Sequence, residues 1–241
     1  MLLASLAPAA GLDIPVPDRR PSMQTPAGAT PNTAVGEAVI EVERPDRREH
    51  CPALRLGLVT GKQLPAIAEG DCGTASPVAI TAVGSVALSD EVVLTCGMAT
   101  ALAQLLPQAS AMAQNILGSP LAALHAVSGY ECRNRNRAAS GKLSEHGFAN
   151  AFDVSQFVLA DGRSISVGAH WPHLAYPAAT ATRQPLERAE TPQARFLASV
   201  HAAACKRFST VLGPDANAEH HDHLHFDLGC HGKDCSYLIC Q

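Results

Sequence analysis

Two stretches of this chain carry side chains whose types and spacing suit metal chemistry. The first runs Ser144-Glu145-His146-Gly147-Phe148-Ala149-Asn150-Ala151-Phe152-Asp153, with six residues between His146 and Asp153. Its Gly and Asn mark a loop entering a strand at Asp153, and a loop can fold back far enough to bring both side chains onto one metal. A neutral imidazole and a carboxylate suit zinc as nitrogen and oxygen ligands. The second runs Glu219-His220-His221-Asp222-His223-Leu224-His225-Phe226-Asp227, and five of the 11 histidines lie between His220 and His231. From residue 223 onward, Leu224, Phe226 and Leu228 alternate with His223, His225 and Asp227. A strand sends the two sets to opposite faces. The apolar set packs on the core, and His223 and His225 project together towards a cleft as a specific metal site.

These residues need elements to hold them. AFDVSQFVLADGRSISVG (151–168) reads as a hairpin, because two alternating apolar runs flank Asp161-Gly162. STVLGP (209–214) and HLHFDLG (223–229) read as two further strands, and LAALHAVSGY (121–130) as a strand ending in a turn at Ser128-Gly129. TAVGSVALS (81–89) alternates weakly as a strand. Ser89 then offers an N-cap for a helix over 91–106 that Pro107 ends, with a shorter helix over 108–117. Thr191 caps a helix over 191–208, with Pro192 at its first position. Hairpin links dominate over crossovers. The expected class is α+β, a small antiparallel sheet with helices packed on one face.

At 241 residues the chain predicts one to two domains. Residues 1–50 read as the remnant of a signal peptide or a floppy tail, then a disordered Pro/Ala-rich linker. Residues 51–241 read as one domain. The net charge of −4 gives no electrostatic footprint for nucleic acid or an anionic membrane. No run of 18 apolar residues exists, so no transmembrane segment is expected. Aromatics are only 4%, so Ala, Val and Leu must build the core. Eight cysteines with no Cys-x-x-Cys pair point to four disulfides in an oxidising compartment, periplasmic or extracellular. Cys96 with Cys132 is the expected pair, and Cys230, Cys235 and Cys240 are expected to pin the C-terminus. His125 and His201 read as core or surface histidines. His170 and His173, beside Trp171, read as cleft-lining or simply loop-packed, and His231 as exposed.

The pairing of Ser-x-His and Ala-x-Asp with a later His-rich strand resembles the zinc peptidases of the lysostaphin, D-Ala-D-Ala carboxypeptidase and hedgehog superfamily. More closely, SGYECR (128–133), SEHGFANAFDVSQF (144–157), FLASVHAAAC (196–205) and HHDHLHFDLG (220–229) resemble the bacterial extensin-like C-terminal domain family. The resemblance implies a hedgehog/D-Ala-D-Ala-peptidase-like fold and one zinc held by His146, Asp153 and His225. Three protein ligands leave a fourth position for water, the arrangement of a catalytic site. It further implies a secreted or periplasmic peptidase that hydrolyses amides of peptidoglycan or other cell-wall peptides with zinc-activated water. Many superfamily members place a general base in Glu-x-x-His, and here that position is Asp222. Another branch uses His-x-x-His-x-His, which matches His220, His223 and His225. Strand parity ranks His223 first as the base, with His220 and Asp222 behind it. Arg133 resembles the basic residue that steadies the tetrahedral intermediate, with two extra residues after Tyr130, so Arg135 or Arg137 could serve instead. Ala149 stands where the superfamily usually shows Gly, and is tolerated if the backbone there is not at positive φ. The alternative is a non-catalytic, metal-containing wall-binding or structural module.

Overall fold

In the computed structural model, residues 51–172 and 191–241 are described. The expected leader and linker (1–50) and His173 lie outside the described residues. In chain order the elements are α1 (Pro52–Arg55), β1 (Val59–Gln63), β2 (Ile67–Glu69), β3 (Cys72–Thr74), β4 (Pro77–Val83), β5 (Val86–Thr95) and α2 (Cys96–Leu117). There follow β6 (Leu121–Ser128), β7 (Ala151–Leu159), β8 (Ser164–Ser166), α3 (Val167–His170), α4 (Pro192–Ala204), β9 (Thr210–Leu212), β10 (Leu224–Asp227) and β11 (Ile239–Cys240). Three 3-10 turns, Arg135–Arg137, Glu145–Phe148 and Ala218–His220, punctuate the loops.

The class is α+β, but the sheet is neither small nor purely antiparallel. Its nine strands run β1-β4-β5-β6-β7-β10-β9-β11, with β8 bonded to β7. β5 pairs β6 in parallel, and β9 pairs β11 in parallel. The β5-α2-β6 crossover is the feature the hairpin-dominated reading lacked. It was masked by a misplaced boundary, because β5 runs on to Thr95 where a helix was expected from residue 91. Val92, Val93 and Thr95 are β-branched and suit a pleated surface. Ser89 caps nothing; its hydroxyl accepts from the Ala126 amide of β6 at 3.2 Å. The true N-cap is Thr95, whose side chain accepts from the Met98 amide.

α2 also continues through Pro107 instead of stopping there. A mid-helix proline costs about 3 kcal/mol. Leu102, Leu105, Leu106, Ala109 and Ala113 are all buried by this helix, and each fully buried leucine returns about 2 kcal/mol. Gly118, at φ 80°, ends it in the left-handed conformation that a side chain would resist. α4 starts as expected, with Thr191 accepting from the Ala194 amide and Pro192 at its first position. The 151–168 hairpin forms as expected, β7 pairing with β8.

α2 and α4 share one core with Phe152, Val154, Phe157, Leu224 and Phe226 of the sheet. The side chains between these on β7 and β10 therefore point to the opposite face. All eight cysteines are paired: Cys51–Cys96, Cys72–Cys132, Cys205–Cys240 and Cys230–Cys235. The expected Cys96–Cys132 bridge is thus wrong, because Cys96 opens α2 beside α1 while Cys132 sits in the loop over β3. Of the tail cysteines, Cys240 ties the C-terminal strand to α4, whereas Cys230 and Cys235 close a local ring. Four disulfides are consistent with an extracellular or periplasmic protein. Among the described residues no helix is long and apolar enough to cross a membrane.

Candidate metal centre

Register places the site. Asp153 on β7 lies directly opposite His225 on β10 and Ser128 on β6, so three strands present one row across the sheet. Directly opposed residues share a face, and that face is the one turned away from the helices. His146 reaches the row from the turn Glu145–Phe148, which Ser144 caps through its hydroxyl. The Ala149 amide closes this turn on the Glu145 and His146 carbonyls, and Ala149 itself sits at φ 53°. The condition under which an alanine is tolerated here without cost, a backbone not at positive φ, is therefore not met. Ala149 is fully buried and occupies the left-handed region at a cost of about 1–2 kcal/mol for a non-glycine residue.

The donor atoms converge. His225 Nδ1 is 2.8 Å from Asp153 Oδ1, His146 Nε2 is 3.1 Å from Asp153 Oδ2, and the two imidazole nitrogens are 3.3 Å apart. One ligand atom from each residue lies within 4.8 Å of the others. The tautomers follow from the second partners of each ring. Gly129 O can only accept, and at 2.6 Å it fixes the proton of His146 on Nδ1, leaving a lone pair on Nε2. The Asp227 carboxylate backs His225 in the same way, accepting from Nε2 at 3.1 Å; Asp153 faces Nδ1 at 2.8 Å, so the metal-free ring carries a proton on both nitrogens and a metal at the trio would take the place of the one on Nδ1. Two imidazole lone pairs and one carboxylate, each ring anchored from behind, fit a zinc ion in nitrogen and oxygen ligation.

The electrostatics are tight. Burial works against the Asp153 carboxylate, yet the hydrogen bonds and charges of His146 and His225 hold it well below the usual carboxylate range. Burial likewise disfavours the His225 imidazolium, but the bonds to Asp153 and Asp227 outweigh it and raise its pKa to about 9. His220 goes the other way. Burial, and then the neighbouring His225 and His223, push it down to about 4, so it stays neutral.

The other expected residues surround this trio. His223, in the bend just before β10, has its Nε2 3.8 Å from Asp153 Oδ2; it lies on the site side although the strand that was expected to carry it begins only at Leu224. Its Nδ1 donates to Asp222 Oδ1 at 2.9 Å. Asp222 itself is well exposed and reaches His223, not the trio. His220 donates from Nδ1 to Asn217 at 2.6 Å, and its ring stands 5.1 Å from that of His223 and 5.5 Å from that of His225. A cavity of about 260 Å³ opens on the His225 side, bordered by Arg133, Arg135, His220, Asp227 and His231. Arg133 donates from Nε to Glu131 at 2.8 Å. Arg137 spends both guanidinium nitrogens on Glu131 and does not border the cavity.

His231, expected to be exposed, is half-buried and bonds Thr210 at 2.6 Å. His125 is exposed, and His170 accepts from the backbone amide of Ser166, the residue that caps its short helix. Trp171 donates to Asp215 and packs edge-on to His201, away from the trio. His201 also lies near Cys205 and Cys240, but those sulfurs are joined in a disulfide and offer no thiolate. Sequence reading missed Asp227, Gly129 and Asn217 as partners. Asp227 was legible, since it lies two residues after His225 and shares its strand face.

Residues 51–241 match the family model described as "Extensin-like protein C-terminus". No curated protein matches the chain, and no solved structure does.

Proposed function

The chain belongs to the extensin-like C-terminal family over residues 51–241, and from that premise we propose that it is a secreted or periplasmic zinc peptidase acting on cell-wall peptides of peptidoglycan. The observation that carries the reading is the convergence of His146 Nε2, the Asp153 carboxylate and His225 Nδ1 beside an open cavity. Zinc held there would supply Lewis acidity towards a scissile carbonyl and acidify a water. His223 is the general base of the reading. Asp222 fixes its proton on Nδ1, so Nε2 presents a lone pair on the side of the trio. His220, kept neutral, can accept a hydrogen bond but adds no charge that would repel a cation. Arg133 borders the same cavity and is the donor for charge developing on the carbonyl oxygen, with Arg135 behind it.

A second reading is a metal-containing wall-binding module without turnover. The exposure of Asp222 favours it, since among the described residues the enclosed carboxylates beside the centre are Asp153 and Asp227. Zinc-loaded and chelator-treated protein, incubated with purified peptidoglycan, separates the two. Release of new amino groups by the zinc form alone is the expected result. Zinc bound with no peptide bond cleaved in any preparation supports the module.

A further inference from the structure

Asp227 faces the centre without being one of its three candidate ligands. It is 5% exposed, and a carboxylate so enclosed is costly unless its oxygens are occupied. They are occupied in a consistent direction. His225 donates from Nε2 to Oδ2 at 3.1 Å, and the Gly229 amide donates to Oδ1 at 2.8 Å. Thr210, the register partner of Asp227 across β9 and β10, stands directly beside the same carboxylate. Thr210 Oγ1 is in turn bonded to His231 Nε2, 2.6 Å away. His231 lies inside the ring closed by Cys230 and Cys235. Both donors, His225 Nε2 and the Gly229 amide, point at the Asp227 carboxylate, which can only accept.

We propose that Asp227 is a positioning residue for the metal centre, and that Thr210 and His231 brace it from the disulfide-closed tail loop. The proposal rests on the metal reading above. Asp227 behind Nε2 orients the ring so that Nδ1 faces the point where His146 and Asp153 converge, and it keeps the remaining proton on Nε2 once a metal displaces the one on Nδ1. Without that acceptor the ring is free to rotate and the tautomer that presents Nδ1 is no longer favoured. Gly229 is required for the same reason. A methyl group there would stand 2.9 Å from the Glu145 carboxylate and 3.1 Å from Asp227 Oδ1, blocking the amide's approach.

The test uses the whole chain with its disulfides intact. Zinc affinity is measured by competition with a chromophoric chelator, and the His225 Nε2 proton is followed by nitrogen-resolved NMR. Asp227→Ala is expected to weaken zinc binding about 10- to 100-fold, the usual loss on removing a ligand's partner, and to abolish the protected Nε2 proton signal. Asp227→Asn keeps an acceptor oxygen and should recover part of both. Thr210→Val removes only the brace and should cost about 2- to 10-fold, the worth of one hydrogen bond; it decides the matter if Asp227→Ala does not fold. Wild-type affinity with an unchanged proton signal in the folded variants overturns the proposal and leaves the metal reading standing. A wild type that binds no zinc overturns both. A wild type that binds zinc and cleaves nothing, with affinity lost in Asp227→Ala, overturns only the hydrolase reading and supports the positioning role.

Discussion

Removing the Cys72–Cys132 bridge joins fold and site in one experiment. The bridge spans a sequence separation of 60 residues, against five for Cys230–Cys235. In the chain-entropy account, losing the longer closure costs about 4 kcal/mol and losing the shorter about 2 kcal/mol. For a domain of this size each kcal/mol is about 2–4 °C in Tm, so Cys72→Ala with Cys132→Ala should lower Tm by roughly 8–16 °C and the tail pair by roughly 4–8 °C. The longer bridge also supports the site. The Cys72 sulfur stands 2.9 Å from where a Gly147 methyl would be, directly beside His146, and the Glu131 amide of the same loop donates to the His146 carbonyl at 3.1 Å. The first double variant should therefore lose zinc affinity as well as stability. Calorimetry of both variants, metal-free and zinc-loaded under non-reducing conditions, provides the measurement. If the Cys72/Cys132 variant loses no more Tm than the tail variant and binds zinc as the wild type does, the bridge does not brace the turn that carries His146.

Three further outcomes follow from the same geometry. His223→Ala should lower turnover on peptidoglycan by about 10²–10⁴-fold with zinc still bound, while Asp222→Asn should cost only about 10–100-fold, read as initial rates of amine release; the reverse order would make Asp222 the base. His225, raised to about 9 by its carboxylate partners, stabilises metal-free protein fully below its unfolded value near 6.5. That contribution is lost as pH rises to about 9, so urea midpoints of chelated protein should decline over this window, and a flat profile would refute the pairing. Zinc at 100 times its Kd should add about 2.7 kcal/mol to stability, and chelation should remove it; His146→Ala should show no such chelator-sensitive shift.

The parts of the site carried by strand periodicity were legible in the sequence. Leu224 and Phe226 against His225 settle which face is buried in the helix layer, because a period of two leaves no other choice. Pairing between strands was not legible. Nothing in the sequence says that His225 meets Asp153, since the two are 72 residues apart and register depends on the whole sheet. The β5/α2 boundary was misread for a local reason. Ser89-Asp90-Glu91 imitates a capped first turn, and only the sheet reveals Glu91 as a strand residue whose carboxylate pairs with Lys62 of β1 at 2.9 Å. The helix through Pro107 shows the same principle, because burial of its apolar face outweighs a local rule. The disulfides were countable but not assignable, as connectivity requires the fold.

The charge of the centre says what sort of occupant balances it. Asp153 and Asp227 are both nearly enclosed, at 3% and 5% exposed, and both are held in the anionic form by their partners. Around them stand His146, His220 and His225, all buried. A neutral imidazole is what a metal requires as ligand, so in the liganding state this set carries two negative charges and no positive one. Metal-free, a proton on His225 offsets one of them. The other is left in an environment where an unpaired charge is expensive. A single divalent cation between His146, Asp153 and His225 brings the set to neutrality, with Asp227 compensated through the ring of His225. A monovalent ion leaves a deficit. A neutral ligand leaves the full imbalance. In the proposed metal reading the second carboxylate therefore counts towards a divalent ion alongside the three donors, and it gives the aspartate buried two residues after His225 a role as their counter-charge.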